Sequence, residues 1–212
     1  MKRAGHPRLA SVARLNKISN GTLDAWSDAL REVPEARMLV IAQGLQNSMI
    51  QARLQERFRQ RGIAPERIDL RGGVGIGEYF ALHSQIDLFL DTTPWSGHTT
   101  TLHGLWMGVP TVTFERAHHA GRFSTMVMRN AGLAEFIAAD AAGFGAQVRR
   151  VLDDDALMEQ VRTQGREILR GSALMDHAGV AERFQGACDE MWRSCSGETP
   201  APVQAGPAAG DR

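Results

Sequence analysis

The chain has 212 residues, enough for one domain of ordinary size, with the 43 % apolar and 23 % charged content of a globular protein. Basic and acidic residues balance at 24 each, so no global field holds nucleic acid or an anionic membrane, and any phosphate chemistry must be local. No apolar run approaches the roughly 20 residues of a membrane span and the N-terminus lacks a secretory h-region, so a cytoplasmic location is expected.

Residues 1–10 are basic and rich in Gly and Pro, and they read as a loose lead-in. Leu23, Trp26, Leu30 and Val33 have helical spacing over Thr22 to Val33, which Pro34 closes. Arg37 to Ala42 is a buried-strand run. A charged helix over Asn47 to Gln60 stops at Gly62. A short strand (Ile68 to Leu70), a short helix (Gly77 to Ser84) and a strand (Ile86 to Leu90) follow. After a polar turn, a helix opens at His98 or Thr99, and Thr111 to Phe114 is the next strand. Gly121 to Asn130 is a helix and Leu133 to Ala138 a short apolar segment. Helices over Ala141–Leu152, Asp154–Leu169 and Asp176–Arg193 lead to a Gly/Pro/Ala tail, 196–212, expected to be disordered. Strands alternating with helices predict an α/β, Rossmann-like fold with a mostly parallel sheet, carried by residues 11–195.

The stretch Asp91 to Pro110 (DTTPWSGHTTTLHGLWMGVP) is the most informative. A Gly and three Thr at a helix start, just past the carboxyl end of a strand, aim amides, hydroxyls and the positive end of the helix dipole at one point. That is an anion site, and phosphate is its natural occupant. Nearly all basic residues are Arg; the lysines are Lys2 and Lys17. A single Lys inside an Arg-preferring domain is either a chance surface residue or one needed for its compact ammonium.

Other motifs carry less. Gly72 to Gly77 is one residue short of G-x-G-x-x-G and reads as a flexible loop, with Tyr79 beyond it able to stack on a flat base. Asp153-Asp-Asp155 has D-x-D spacing but lies between two helices, where an Asp caps the second. His98, His103, His118 and His119 are a weak metal signal without clustered partners, and His118-His119 reads as an exposed loop. Arg122 is within possible reach of a phosphate. Trp26, Leu30, Leu105 and Trp106 are core candidates. Cys188 and Cys195 share a helix face and read as reduced structural thiols.

Leu15-Asn-Lys-Ile18, Ile86 to Thr92, Pro94 to Thr100, Leu105 to Thr113 and Ala120 to Ser124 together resemble the protein O-GlcNAc transferase / Spindly family. The likeness is to the C-terminal half of its GT-B catalytic region and spans about Val12 to Trp192. It implies a domain that holds the UDP of a UDP-sugar, with transfer to Ser or Thr hydroxyls of a protein or peptide, and with no metal or cofactor. Lys17 falls on the family's diphosphate-pairing lysine and is the catalytic candidate. His98, Thr99 and Thr100 fall on its phosphate-gripping helix start. Tyr79 stands where the family has a histidine against uracil, and His103 where it has an aspartate on the ribose. Ile76 and Leu82 replace polar or basic positions near the nucleotide. The resemblance begins at the second of two Rossmann-like halves, so residues 1–10 read as replacing a strand, and another chain could supply the first half. Two other readings stand beside the enzyme: a non-catalytic nucleotide-binding module or split-enzyme part, and a relative acting on a small molecule.

Overall fold

The computed structural model describes residues 5–197. Its sheet has six parallel strands: β1 (Arg8–Val12), β2 (Arg37–Ile41), β3 (Ile68–Arg71), β4 (Leu88–Leu90), β5 (Thr111–Phe114) and β6 (Ile137–Ala138), in the spatial order β3-β2-β1-β4-β5-β6. Eight α-helices accompany them among the described residues: α1 (Asn20–Glu32), α2 (Ser48–Arg59), α3 (Ile76–Leu82), α4 (Thr99–Trp106), α5 (Phe123–Asn130), α6 (Phe144–Asp153), α7 (Asp155–Arg170) and α8 (His177–Ser196). The chain forms two units, one through Leu174 and a second from Met175 that contains α8. The expected domain over residues 11–195 takes in parts of both units. The expected tail lies outside the described residues beyond Gly197.

The lead-in is the main correction. Arg8 to Ala10 are not loose; they open β1, a central strand that pairs with β2 on one side (Ala10 opposite Leu39) and with β4 on the other (Ala10 opposite Phe89). A strand bonded on both edges and covered on both faces needs only small and apolar side chains. Leu9, Ala10 and Ser11 are all buried accordingly. The charge at Arg8 is tolerated because its guanidinium reaches Gln85 and Asp69.

Alternation along the strands divides the core in two. Met38, Val40, Leu88 and Leu90 join a large cluster with Trp26 and Leu30 of α1, Phe58 of α2 and Phe144 and Val148 of α6. Leu39, Ile41 and Phe89 join a smaller one with Leu82, Ile86 and Val109. Leu82, expected near a nucleotide, is therefore core. Arg67 closes the C-terminal end of α1 by donating to the carbonyls of Leu30, Val33 and Ala36 (2.8, 2.9 and 3.0 Å). Gly108, at φ +75°, follows α4, and a Cβ there would lie 2.4 Å from the Arg162 carbonyl; the two segments meet backbone to backbone.

The capping reading of Asp153–Asp155 holds. Asp154 accepts from the Leu157 amide at the start of α7, and Asp153 pairs with Arg149. His118 and His119 are exposed after β5, as expected. Cys188 is half-buried and Cys195 exposed, so Cys195 is not a buried structural thiol; both are free. No helix among the described residues is long and apolar enough to cross a membrane.

Candidate functional site

The strand order reverses at β1. The chain winds outward through β2 and β3, then returns to β4 on the opposite side of β1. Connections leaving β1 and β4 diverge at their carboxyl ends, and in open parallel sheets the resulting crevice is where ligands sit. A cavity of about 670 Å³ lies there, the size of a small-ligand site. Val12 at the end of β1 and Ala13 and Lys17 beyond it line the cavity. Asp91 and Thr92 do so after β4, and Gly97 to Thr101 from the start of α4. Gln43, Gly73, Val74, Ile76 and Tyr79 form the opposite side.

The site is assembled by buried polar residues. Ser19 caps α1 by accepting from the Thr22 amide, and the hydroxyls of both residues donate to the Thr93 carbonyl (2.6 and 2.8 Å). The turn after β4, with its cis Thr93–Pro94 peptide, is thereby fastened to the chain just beyond Lys17. Ser96 serves two elements. Its hydroxyl accepts from the Phe123 amide at the start of α5, and its carbonyl accepts from Lys17 Nζ at 3.0 Å. Trp26, wholly buried in α1, donates its indole N–H to the Asp91 carbonyl at 2.9 Å.

Lys17 is half-buried, with its ammonium 5.7 Å from the Trp95 ring centre. Burial lowers its pKa; the Asp91 charge acts to raise it and the Arg14 charge to lower it further. The ammonium is thus incompletely solvated, which strengthens its attraction to a phosphate at the cavity. Helix α4 has no side-chain cap, so its first-turn amides and dipole face the same space, beside the exposed Thr99 and the half-buried Thr100. Gly97 allows the turn to close: a Cβ there would lie 2.8 Å from Thr101 Oγ1 and 3.0 Å from Thr100 Oγ1.

The structure thus brings Lys17, His98, Thr99, Thr100 and Tyr79 to one cavity and leaves two expected residues off its wall. Arg122 donates to the carbonyls of Arg116 and Ala117 and so braces the loop after β5. His103 sits behind Tyr79, with its Nδ1 3.2 Å from the phenol oxygen. Tyr79 itself is 8 % exposed and enclosed by Phe80, His83 and His103, which leaves little ring face for a base to stack on. Burial pushes its phenol up to about 12, so it stays protonated. Ile76, by contrast, stands 71 % exposed on the cavity wall. Sequence reasoning missed Ser96, Asp91 as a buried hub, and its partner Arg116.

Comparison with known proteins places this geometry. The model of glycosyl transferase family 41 matches residues 9–183. The probable UDP-N-acetylglucosamine–peptide N-acetylglucosaminyltransferase SPINDLY of Petunia hybrida is 28 % identical over 198 residues, covering 92 % of this chain and 21 % of its own. The SPINDLY protein of Arabidopsis thaliana is 27 % identical, covering 92 % and 22 %. A solved mutant of the Thermobaculum terrenum O-GlcNAc transferase superposes with a TM-score of 0.81 at 34 % identity, covering 90 % of this chain and 36 % of that one. The pneumococcal O-GlcNAc transferase GtfA, solved with UDP and GlcNAc, shares the fold at a TM-score of 0.56 and 16 % identity, covering 89 % and 37 %. The chain therefore spans about a fifth of the length of these plant relatives. With its Rossmann strand order, a cleft at the reversal point and most of its length matched, the chain belongs to glycosyl transferase family 41.

Proposed function

We propose that this chain provides the donor site of a UDP-sugar-dependent protein O-glycosyltransferase. The cavity holds the nucleotide sugar, and the sugar passes to a Ser or Thr hydroxyl of a protein acceptor. The observation that carries this reading is the convergence of the Lys17 ammonium and the uncapped α4 start on one cleft, in a chain of this family. In the reaction the acceptor oxygen bonds to the anomeric carbon while the bond from that carbon to the β-phosphate oxygen breaks. The electron pair leaves with UDP, and the acceptor hydroxyl gives up its proton to solvent. Lys17 and the amides and hydroxyls of Thr99 and Thr100 sit where that charge develops, so they stabilise the leaving group more than the ground state. The reading assigns charge balance to these groups and calls for no metal.

Support also comes from the solved relatives, one of which was captured with UDP and GlcNAc. The test is calorimetric titration of UDP into the chain and into Lys17→Ala. Binding should be present in the first and weakened in the second. Equal heats for the two would sink the assignment. In an assembled enzyme, loss of Lys17 should slow transfer about 10²- to 10³-fold, the range found for other preorganised donors.

A further inference from the structure

An anion site with a carboxylate on its wall needs an explanation. Asp91 lines the cavity with its side chain 2 % exposed, where an uncompensated negative charge would be costly to bury and would repel a phosphate. Four donors converge on it, and they divide between its oxygens. Oδ1 accepts from the amides of Thr92 (2.8 Å) and Gly97 (2.7 Å), the two ends of the turn that delivers α4. Oδ2 accepts from Thr113 Oγ1 (2.7 Å) and Arg116 Nη1 (3.2 Å). One oxygen therefore sets the turn while the other faces the cation. Arg116 is as deeply buried, 5 % exposed. The Gly121 carbonyl (3.0 Å), Thr93 Oγ1 (3.2 Å) and the Phe114 ring (3.9 Å from its centre) fix it in place.

Building on the donor-site reading, we propose that Arg116 is a positioning residue for the diphosphate. It cancels the charge of Asp91, so that the carboxylate can hold the Thr92–Gly97 turn without repelling the phosphates bound at the start of α4. The division between the two oxygens separates these roles by mutation. In Asp91→Asn the amide oxygen can keep both backbone bonds of Oδ1 while the charge is lost.

The experiment is calorimetry on the full chain with UDP and, separately, inorganic pyrophosphate, for Arg116→Gln, Asp91→Asn and the double variant. Circular dichroism and thermal unfolding monitor folding. Arg116→Gln removes the cation bonded to Asp91 Oδ2 and should weaken UDP binding about 10- to 100-fold. Asp91→Asn leaves the cation alone and should bind UDP as tightly as wild type or more tightly. The double variant should return to within about fivefold of wild type, as expected of a coupled pair. A pair that mattered only for packing would lose affinity in all three variants. That result overturns the proposal, as does wild-type binding by Arg116→Gln. If Arg116→Gln fails to fold, Asp91→Asn and the double variant decide: loss of about tenfold or more in both overturns it. Wild-type chain that binds pyrophosphate but not UDP overturns the donor reading alone, and the same variants then decide this one with pyrophosphate. No heat with either ligand overturns both.

Discussion

Trp26→Phe probes the link between core and site. Trp26 is wholly buried, stacked at 6.5 Å on Phe58, and its Nε1 donates to the carbonyl of Asp91, the residue that opens the site turn. Phenylalanine keeps an aromatic ring against Phe58 but leaves that carbonyl without its buried donor, a loss of about 1–3 kcal/mol. The vacated pyrrole volume adds about 1–2 kcal/mol through imperfect repacking. A central total of about 3 kcal/mol corresponds to a Tm lower by about 6–12 °C for a domain of this size. Thermal unfolding by circular dichroism measures it, with urea unfolding as a check that the slope m is unchanged. A Tm within about 2 °C of wild type would refute the claim that the indole N–H helps hold this turn.

Two further outcomes follow from the same geometry. Arg67→Ala removes three donors from carbonyls at the end of α1 and should cost about 2–3 kcal/mol in urea unfolding; Arg67→Lys should recover little, because one ammonium cannot reproduce the guanidinium fork. The lowered pKa of Lys17 has two opposite consequences in the alkaline window between its folded value and the ordinary lysine value. The unfolded chain holds this proton more tightly than the folded one, so stability from this group rises with pH through that window. UDP affinity falls through the same window as the ammonium is lost. Calorimetry across alkaline pH should show that fall in wild type and its absence in Lys17→Ala, which keeps every other titrating group.

The α/β alternation was legible because β2 and β5 are short apolar runs bounded by polar segments, and α1 shows helical spacing. Their observed limits differ from the expected ones by two residues or fewer. β1 was not legible. A five-residue central strand buried on both sides needs no long apolar run, and the Gly, Pro and Arg around it look like a tail. In the cleft, local chemistry was readable where neighbouring residues act together, as with Gly97 to Thr100. Asp91, Thr113 and Arg116 come from segments joined only by strand pairing. The available signal was an acid ending an apolar strand, Leu88-Phe-Leu-Asp91, and an Arg just past the next one. Arg122 and Tyr79 show a related limit. Sequence shows that a side chain could reach a ligand but not that nearby carbonyls or rings already surround it.

The central claim is that one anion site joins Lys17 to the start of α4. Two-dimensional ¹⁵N–¹H spectra of the chain titrated with UDP test it most directly. The largest shifts should fall on the amides of Gly97, Thr99, Thr100 and Lys17, and Lys17→Ala should reduce them together. Shifts that miss these amides, or that survive Lys17→Ala undiminished, would contradict it.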